Sequence, residues 1–386
     1  MLKHTEYKMI KVWDYLDEYK IHRKEFLNEI DSVFKSSTLV FGPKLAEFEK
    51  KFTKFVGTKF GLGVGNGTDA LYIALRALDI GHGDEVITTS NTAVPTVTAI
   101  VNAGAKPIFV DVDNFYLIDV KKIENKISAK TKAIMPVHLY GQSCDMDEIN
   151  RIAKKHKIKV IEDCAQSHGA LYKSKATGSL GDIGCFSFYP TKILGGYGDG
   201  GFITTNNEKL FDKMMRIRFL GMERKKMSSG HWNGKYYAIE HGTNSRLDEV
   251  HAAILLVKLK YLKKNILKRR KIAKLYYKEL YNTKLKLPKV NKKNFHAYYI
   301  YVVQHENRDL IIEELQKKNI HLNISYPWPI HIMEPYKNSV CDNCYCLENT
   351  NIFSKKIFSL PMYPELTRKK QMIVIKELKN ILKKLD

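Results

Sequence analysis

Between residues 58 and 163, short β-branched runs alternate with amphipathic helical patterns, and this alternation confines the chain to an α/β sheet before any single residue is weighed. Residues 59–64, 85–89, 107–110, 133–137 and 159–161 read as strands. Helices are predicted between several of them, most clearly over 68–78, where Ala70, Leu71, Ala74, Leu75 and Leu78 form one apolar stripe, and over 145–156. Strands joined through helices pair in parallel, because the crossover returns the chain to the same end of the sheet. The expectation is a mostly parallel sheet covered on both faces, with ligands at the carboxyl ends of its strands. Runs at 184–188 and 201–205 extend that sheet.

After residue 206 the pattern turns helical, over 209–219 and then over a long amphipathic run, 247–281, expected to bend or break near Lys263. A strand over 298–303 and helices over 309–318 and 366–385 suit a smaller α+β domain. A chain of 386 residues exceeds what one core usually serves. The division is placed at 260, with an N-terminal segment and large domain over 1–260 and a small C-terminal domain over 261–386. Two early helices, 18–34 and 44–56, carry one apolar stripe each and can pack on either domain.

No uncharged apolar run approaches the roughly 20 residues of a membrane span, and the first residues carry no apolar signal region. A cytoplasmic location is expected, with no membrane partner. The net charge of +23 invites a nucleic-acid reading, but the lysines are dispersed. Their densest group, Lys258 to Lys274, is interleaved with apolar residues and reads as a solvated helix face. The excess charge is therefore ascribed to surface composition and to attraction for an anionic substrate, with no nucleic acid partner. Six cysteines in a chain this long do not make a disulfide framework. Cys144, Cys164 and Cys185 read as buried thiols. The group Cys341, Cys344 and Cys346 lacks a second Cys or His pair at zinc spacing and reads as a reduced surface loop, so no metal is expected.

The chemistry concentrates around Lys192, in the run Ser187-Phe188-Tyr189-Pro190-Thr191-Lys192, and around Asp163, which ends a strand signal 29 residues upstream. A lysine amine can bond the aldehyde of pyridoxal 5'-phosphate (PLP), and a carboxylate can keep its ring nitrogen protonated so that the ring withdraws electrons from a carbanion. A carboxylate at a buried strand end is costly without a cation or strong donors, and a ring N–H would satisfy it. Gly65-Asn66-Gly67-Thr68-Asp69 follows a strand signal and opens a helix, an arrangement that favours a phosphate and also serves plain chain reversal. Ser187 is a second phosphate donor by position. Gln166 and His168 are placed to line the ring or support Asp163.

These segments resemble the DegT/StrS-type family of PLP-dependent nucleotide-sugar aminotransferases, of the aspartate-aminotransferase fold (fold-type I). The resemblance runs from Val12-Trp13-Asp14-Tyr15-Leu16 through the Gly65 and Asp163 segments to Lys192 and Gly198-Asp199-Gly200-Gly201. It continues through Asn244-Ser245-Arg246-Leu247-Asp248-Glu249 to Tyr326-Pro327-Trp328-Pro329-Ile330-His331 and Ser359-Leu360-Pro361-Met362-Tyr363-Pro364.

The resemblance implies that Lys192 bonds the cofactor aldehyde, Asp163 meets the pyridine nitrogen, Gly67, Thr68 and Ser187 hold the phosphate, and Gln166 contacts the ring hydroxyl side. It implies that Asn244 reaches the cofactor phosphate of a neighbouring subunit, hence a homodimer with shared sites, and that Tyr189, Arg246, Tyr326 and His331 lie along the sugar nucleotide. The implied reaction moves an amino group from L-glutamate, leaving 2-oxoglutarate and pyridoxamine phosphate, to C-3 of a dTDP-linked 3-keto-6-deoxyhexose in amino-sugar and surface-glycan (lipopolysaccharide) biosynthesis. The Asn-Ser-Arg-Leu-Asp form at 244–248 is what points to C-3. The alternatives are a UDP-linked 3-keto acetamido sugar or a C-4 keto sugar and, outside catalysis, a basic nucleic-acid-binding regulator. Lys192 itself argues against the dehydratases of the family, which carry histidine there. Two positions depart from common patterns: Ala93 stands where many relatives stack an aromatic ring on the cofactor, and Ser325 where many carry histidine.

Overall fold

The computed structural model describes residues 9–222, 237–337 and 347–385. Two lead-in helices, α1 (Leu16–Ser36) and α2 (Pro43–Val56), precede the alternating region. That region runs β1 (Phe60–Val64), α3 (Gly67–Ala77), β2 (Glu85–Thr89), α4 (Val94–Asn102), β3 (Lys106–Val110), β4 (Thr131–Ile134), α5 (Met146–His156) and β5 (Lys159–Asp163). A small hairpin, β6 (Leu171–Tyr172) and β7 (Lys175–Ala176), leads to β8 (Ile183–Ser187), β9 (Gly201–Thr205) and α6 (Glu208–Ile217). The rest comprises α7 (Glu249–Leu280), β10 (Asn294–Phe295), β11 (Tyr301–Gln304), α8 (Arg308–Gln316), α9 (Glu348–Lys356), β12 (Ile357–Leu360) and α10 (Arg368–Leu382).

Seven strands form one sheet in the order β1-β9-β8-β5-β4-β2-β3. Only β9 runs against its neighbours; β8, β5, β4, β2 and β3 pair in parallel. Every residue of β8 and β9 is buried, as expected for strands covered on both faces. The pleat sends successive side chains to opposite faces, and two cores result. Val86, Ala133, Ile161 and Ile203 pack with α3, α4 and α6 residues such as Leu71, Ile100 and Met214. Their neighbours Ile87, Ile134, Val160 and Phe202 pack with Phe48 and Phe52 of α2, Ile149 of α5 and Leu255 of α7.

A third core joins the last part of α7, the antiparallel pair β11 and β12, α8 and α10, with Tyr276, Val303, Leu315, Phe358 and Leu378 at its centre. The packing of α7 therefore changes within the helix, with Leu262 and Ile266 in the sheet core and Ile272 and Ala273 in the third. Contrary to expectation, α7 does not break near Lys263. It contains neither Gly nor Pro, the usual causes of a kink, and α1 and α2 pack along its first half.

Nor is the Lys258 to Lys274 stretch uniformly a solvated face. Lys258 is buried against Glu18 of α1, with Nζ 2.7 Å from the carboxylate, and Arg269 is buried on the carbonyls of Tyr298, Tyr299 and Met362. Lys264, Lys271 and Lys274 line an open groove of about 1560 Å³ beside the segment 285–293.

Helix α4 escaped the sequence reading because its residues, Val-Pro-Thr-Val-Thr-Ala-Ile-Val-Asn, are largely β-branched. Pro95 in its first turn starts it where a proline is tolerated. Cys144, Cys164 and Cys185 are buried free thiols, and the Cys341, Cys344 and Cys346 group lies outside the described residues. Among the described residues no helix is long and apolar enough to cross a membrane.

Candidate active site

The carboxyl ends of β5 and β8 and the amino end of α3 meet at one cavity of about 270 Å³. Gly67, Thr68, Asp163, Gln166, Ser187 and Lys192 all line it, and Ala93 stands at the start of α4 on the same wall. Asn66 caps α3: its side chain accepts the N–H of Asp69 at 2.8 Å, and the first backbone bond of the helix runs from Ala70 to Asn66 at 3.1 Å. The N–H groups of Gly67 and Thr68 precede that first bond, so their donors and the positive end of the helix dipole face the cavity mouth.

Glycine at 67 is required by packing. A Cβ there would stand 2.6 Å from the Cβ of Ser187, so any larger residue would drive the helix start away from the end of β8. That close approach brings the Ser187 hydroxyl beside the two N–H groups. Ser245 ties the same turn from behind, its hydroxyl accepting the N–H of Gly65 at 2.8 Å and donating to Asp69 at 2.5 Å.

Asp163 is buried, and Thr96 of α4 donates its hydroxyl to one carboxylate oxygen at 2.8 Å while the N–H of Ala165 donates to the other at 3.1 Å. Burial pushes its carboxyl above the ordinary range, against the opposing pull of Thr96, Ala165 and the positive charge of Lys192. A carboxylate in that position is stabilised by a further cation or N–H donor in the cavity. Glu162, its strand neighbour on the opposite face, is occupied elsewhere: it accepts the N–H groups of Gly178, Leu180 and Gly181 and lies 2.9 Å from His138.

The donor set fits PLP. An amine for the aldehyde, a buried carboxylate in need of a ring N–H, and a helix amino end with two hydroxyls for a phosphate border one cavity of suitable size.

The other predicted residues are distributed less tightly. Gln166 lines the cavity, but both ends of its amide are already engaged, accepting the N–H of Tyr140 at 2.9 Å and donating to the Tyr326 hydroxyl at 2.6 Å. Tyr326 thus reaches the site through Gln166, and burial pushes its phenol well above the ordinary range, so it stays neutral. Tyr189 is an exposed rim residue and Arg246 is half-buried beside the Gly65 turn. Asn244 is exposed and pairs through its backbone with Phe219, away from the cavity of its own chain.

His331 is not brought to the cavity. It is 1% exposed, with Nδ1 2.7 Å from the Ser90 hydroxyl, because the short helical turn over 330–332 is tucked against the end of β2. His168 does not line the cavity either. It packs among the rings of Phe52, Phe186 and Phe188, where burial pushes its pKa down to about 3 and keeps it neutral. Thr96, Ser245 and Tyr299, which touch Asp163, the Gly65 turn and Lys192 respectively, were missed. Each lies more than sixty residues from the group it touches, and no local spacing marks it.

The comparisons agree with this geometry. The model of the DegT/DnrJ/EryC1/StrS aminotransferase family matches residues 20–379. The chain is similar to dTDP-3-amino-3,4,6-trideoxy-alpha-D-glucose transaminase of Micromonospora megalomicea subsp. nigra, 42% identical with 96% of this chain and 98% of the relative covered. It is equally similar to dTDP-3-amino-3,6-dideoxy-alpha-D-galactopyranose transaminase of Aneurinibacillus thermoaerophilus, 42% identical over 90% of this chain and 92% of that one. In three dimensions it resembles DesV of S. venezuelae, solved in complex with a ketimine intermediate, with a TM-score of 0.93, 32% identity, and 98% and 100% of the two chains covered. A sheet carrying Lys192 and Asp163 at one cavity is thus the fold of known sugar aminotransferases, and the chain belongs to the DegT/DnrJ/EryC1/StrS family of PLP-dependent aminotransferases.

Proposed function

We propose that this aminotransferase moves the amino group of L-glutamate to C-3 of a dTDP-linked 3-keto-6-deoxyhexose, a step in making amino sugars for surface glycans such as lipopolysaccharide. The observation that carries the substrate is the 42% identity, over nearly the whole chain, to two transaminases named for dTDP-3-amino sugars. Lysine at position 192 supports amino transfer, since an amine there can both bond the cofactor and carry protons.

PLP, when bound, supplies an aldehyde that takes up amino groups and a ring that withdraws electrons from the adjacent carbon. With the cofactor in place, Lys192 would be the group that carries the proton away from Cα of the amino donor, and it would carry it in the opposite sense for the keto sugar. Asp163 accepts the hydrogen bond of the ring nitrogen and holds its proton there, with Thr96 fixing the carboxylate. Gly67, Thr68 and Ser187 bind the phosphate and set the cofactor's position relative to Lys192. Tyr189, Arg246 and Tyr326 border the route by which the sugar nucleotide enters. His331, buried on Ser90, does not border that route.

Asn244 sits on the surface, away from its own cavity, which suits a contact to the phosphate of a second subunit in a homodimer with shared sites. The buried free thiols suit a reducing, cytoplasmic compartment.

Borohydride treatment of the purified protein followed by peptide mapping tests the cofactor assignment. The expected result is PLP fixed on Lys192; its absence there would sink the reading. Turnover is then compared on a dTDP-linked 3-keto-6-deoxyhexose, a UDP-linked 3-keto acetamido sugar and a C-4 keto sugar, with glutamate or glutamine as donor. A preference for either of the last two sugars overturns the C-3 dTDP assignment.

A further inference from the structure

Tyr299 lies just before β11, more than a hundred residues from Lys192, yet its ring faces the reactive amine. Its position is set by the backbone. The N–H of Ala297 donates to Gly141 at 2.8 Å and that of Tyr299 to Tyr140 at 2.9 Å, which sews this segment to the turn over 139–141. A Cβ on Gly141 would stand 2.8 Å from the nitrogen of Tyr299, and Gly141 has a φ of 101°, so only glycine admits so close an approach. From the other side, Arg269 donates to the carbonyl of Tyr299 at 3.0 Å. The turn is itself held by Gln166, which accepts the N–H of Tyr140.

The ring so fixed is 6% exposed and makes two contacts with consecutive residues of the lysine loop. Its hydroxyl lies 3.0 Å from Oγ1 of Thr191, and its centroid 4.9 Å from Nζ of Lys192. An ammonium over an aromatic face is attracted by the ring quadrupole. A lysine side chain otherwise spreads over many rotamers, and ordering it costs entropy each time it is released from a partner.

We infer that Tyr299 is a positioning residue: its ring face holds the amine of Lys192 whenever that amine is not bonded to the cofactor, and its hydroxyl, through Thr191, keeps the ring aligned. This rests on the reading of Lys192 as the reactive amine. The same resting place then serves both half-reactions, so the amine returns to the reacting carbons from one direction.

Tyr299→Phe keeps the ring, Tyr299→Met keeps much of the volume without it, and Thr191→Val removes only the hydroxyl partner. Acetylation of Lys192 by acetic anhydride is followed in the cofactor-free protein by peptide mass spectrometry, alongside kcat and KM of the loaded enzyme. Loss of the ring should speed Lys192 labelling by roughly three- to tenfold and lower kcat by about tenfold with KM for the keto sugar held within about twofold. Tyr299→Phe should restore labelling to within about twofold of the natural protein, and Tyr299→Phe combined with Thr191→Val should do no more than either alone.

Equal labelling in the Met and Phe variants overturns the inference, as does a change carried by KM alone. So do Phe and Val effects that multiply, and this cycle decides the matter if Tyr299→Met does not fold. Lys192→Ala is the separate control: retained turnover there defeats the assignment of Lys192, whereas the labelling arm reads Tyr299 without any turnover.

Discussion

The proposed cofactor cradle and the proposed sugar side of the site are built in different ways. Asp163 and Ser187 end the adjacent strands β5 and β8, Lys192 follows within five residues, and Gly67 opens a helix packed directly on Ser187. Tyr189, Arg246 and Tyr326 come from separate loops and range from a 53% exposed rim tyrosine to half-buried side chains, while His331, expected beside them, is 1% exposed and held on Ser90. A buried sheet end holds a group in one place with little freedom, whereas loops allow the recognised sugar to differ among proteins of one reaction type. Changes in the cradle should therefore cost rate or cofactor, and changes on the sugar side should cost selectivity.

The largest effect is expected from Lys192→Ala, which should slow both half-reactions by at least about 10²–10⁴-fold in single-turnover measurements while cofactor still binds non-covalently. Asp163→Ala should follow, with a loss of about 10²-fold or more and little change in KM for the sugar. A loss smaller than that of a sugar-side variant would break the comparison.

Asp163 also predicts a pH effect on the cofactor-free protein. Its folded-state carboxyl titrates above the ordinary 3.8, so it contributes stability that is full below that value and is lost as pH rises through the raised one. Thermal melts of Asp163→Asn should lack that part of the decline with rising pH; an unchanged decline would contradict the burial argument.

Next, Gly67→Ala forces a Cβ into the 2.6 Å gap beside Ser187 and should weaken PLP affinity by about tenfold, read by spectrophotometric titration. Tyr326→Phe removes the hydroxyl that accepts from Gln166 and should shift KM for the keto sugar by roughly three- to tenfold with kcat nearly kept. The smallest effect on activity is expected from His331→Ala. It should cost about 1–3 kcal/mol of stability in denaturant melts by removing the buried imidazole that pairs with the Ser90 hydroxyl, which keeps only the backbone N–H of residue 331, and KM should barely move. A large rise in KM without loss of stability would move His331 back to the sugar side.

What was legible beforehand was local. Lys192 stands in a distinctive run, Asp163 at the end of a buried strand signal, and Gly67 and Thr68 at a strand-to-helix turn, so each carries its evidence in neighbouring residues. The strands of the large sheet were readable for the same reason, since their alternation is written in consecutive side chains. Helix α4 was not, because β-branched residues give no helical preference and only packing on the sheet makes it one.

By itself, then, the sequence determined the sheet and singled out Lys192, Asp163 and the Gly65 turn, which the fold brings to one cavity, because periodicity, turn chemistry and motif spacing act over a few residues. Tertiary structure alone decided that Thr96 fixes Asp163, that Ser245 ties the Gly65 turn, that Tyr299 faces Lys192, and that Lys258 and Arg269 are buried. Those partners lie 29 to 240 residues apart in the chain, and their pairing arises only when folded layers bring distant segments into contact and burial makes a polar group find a partner.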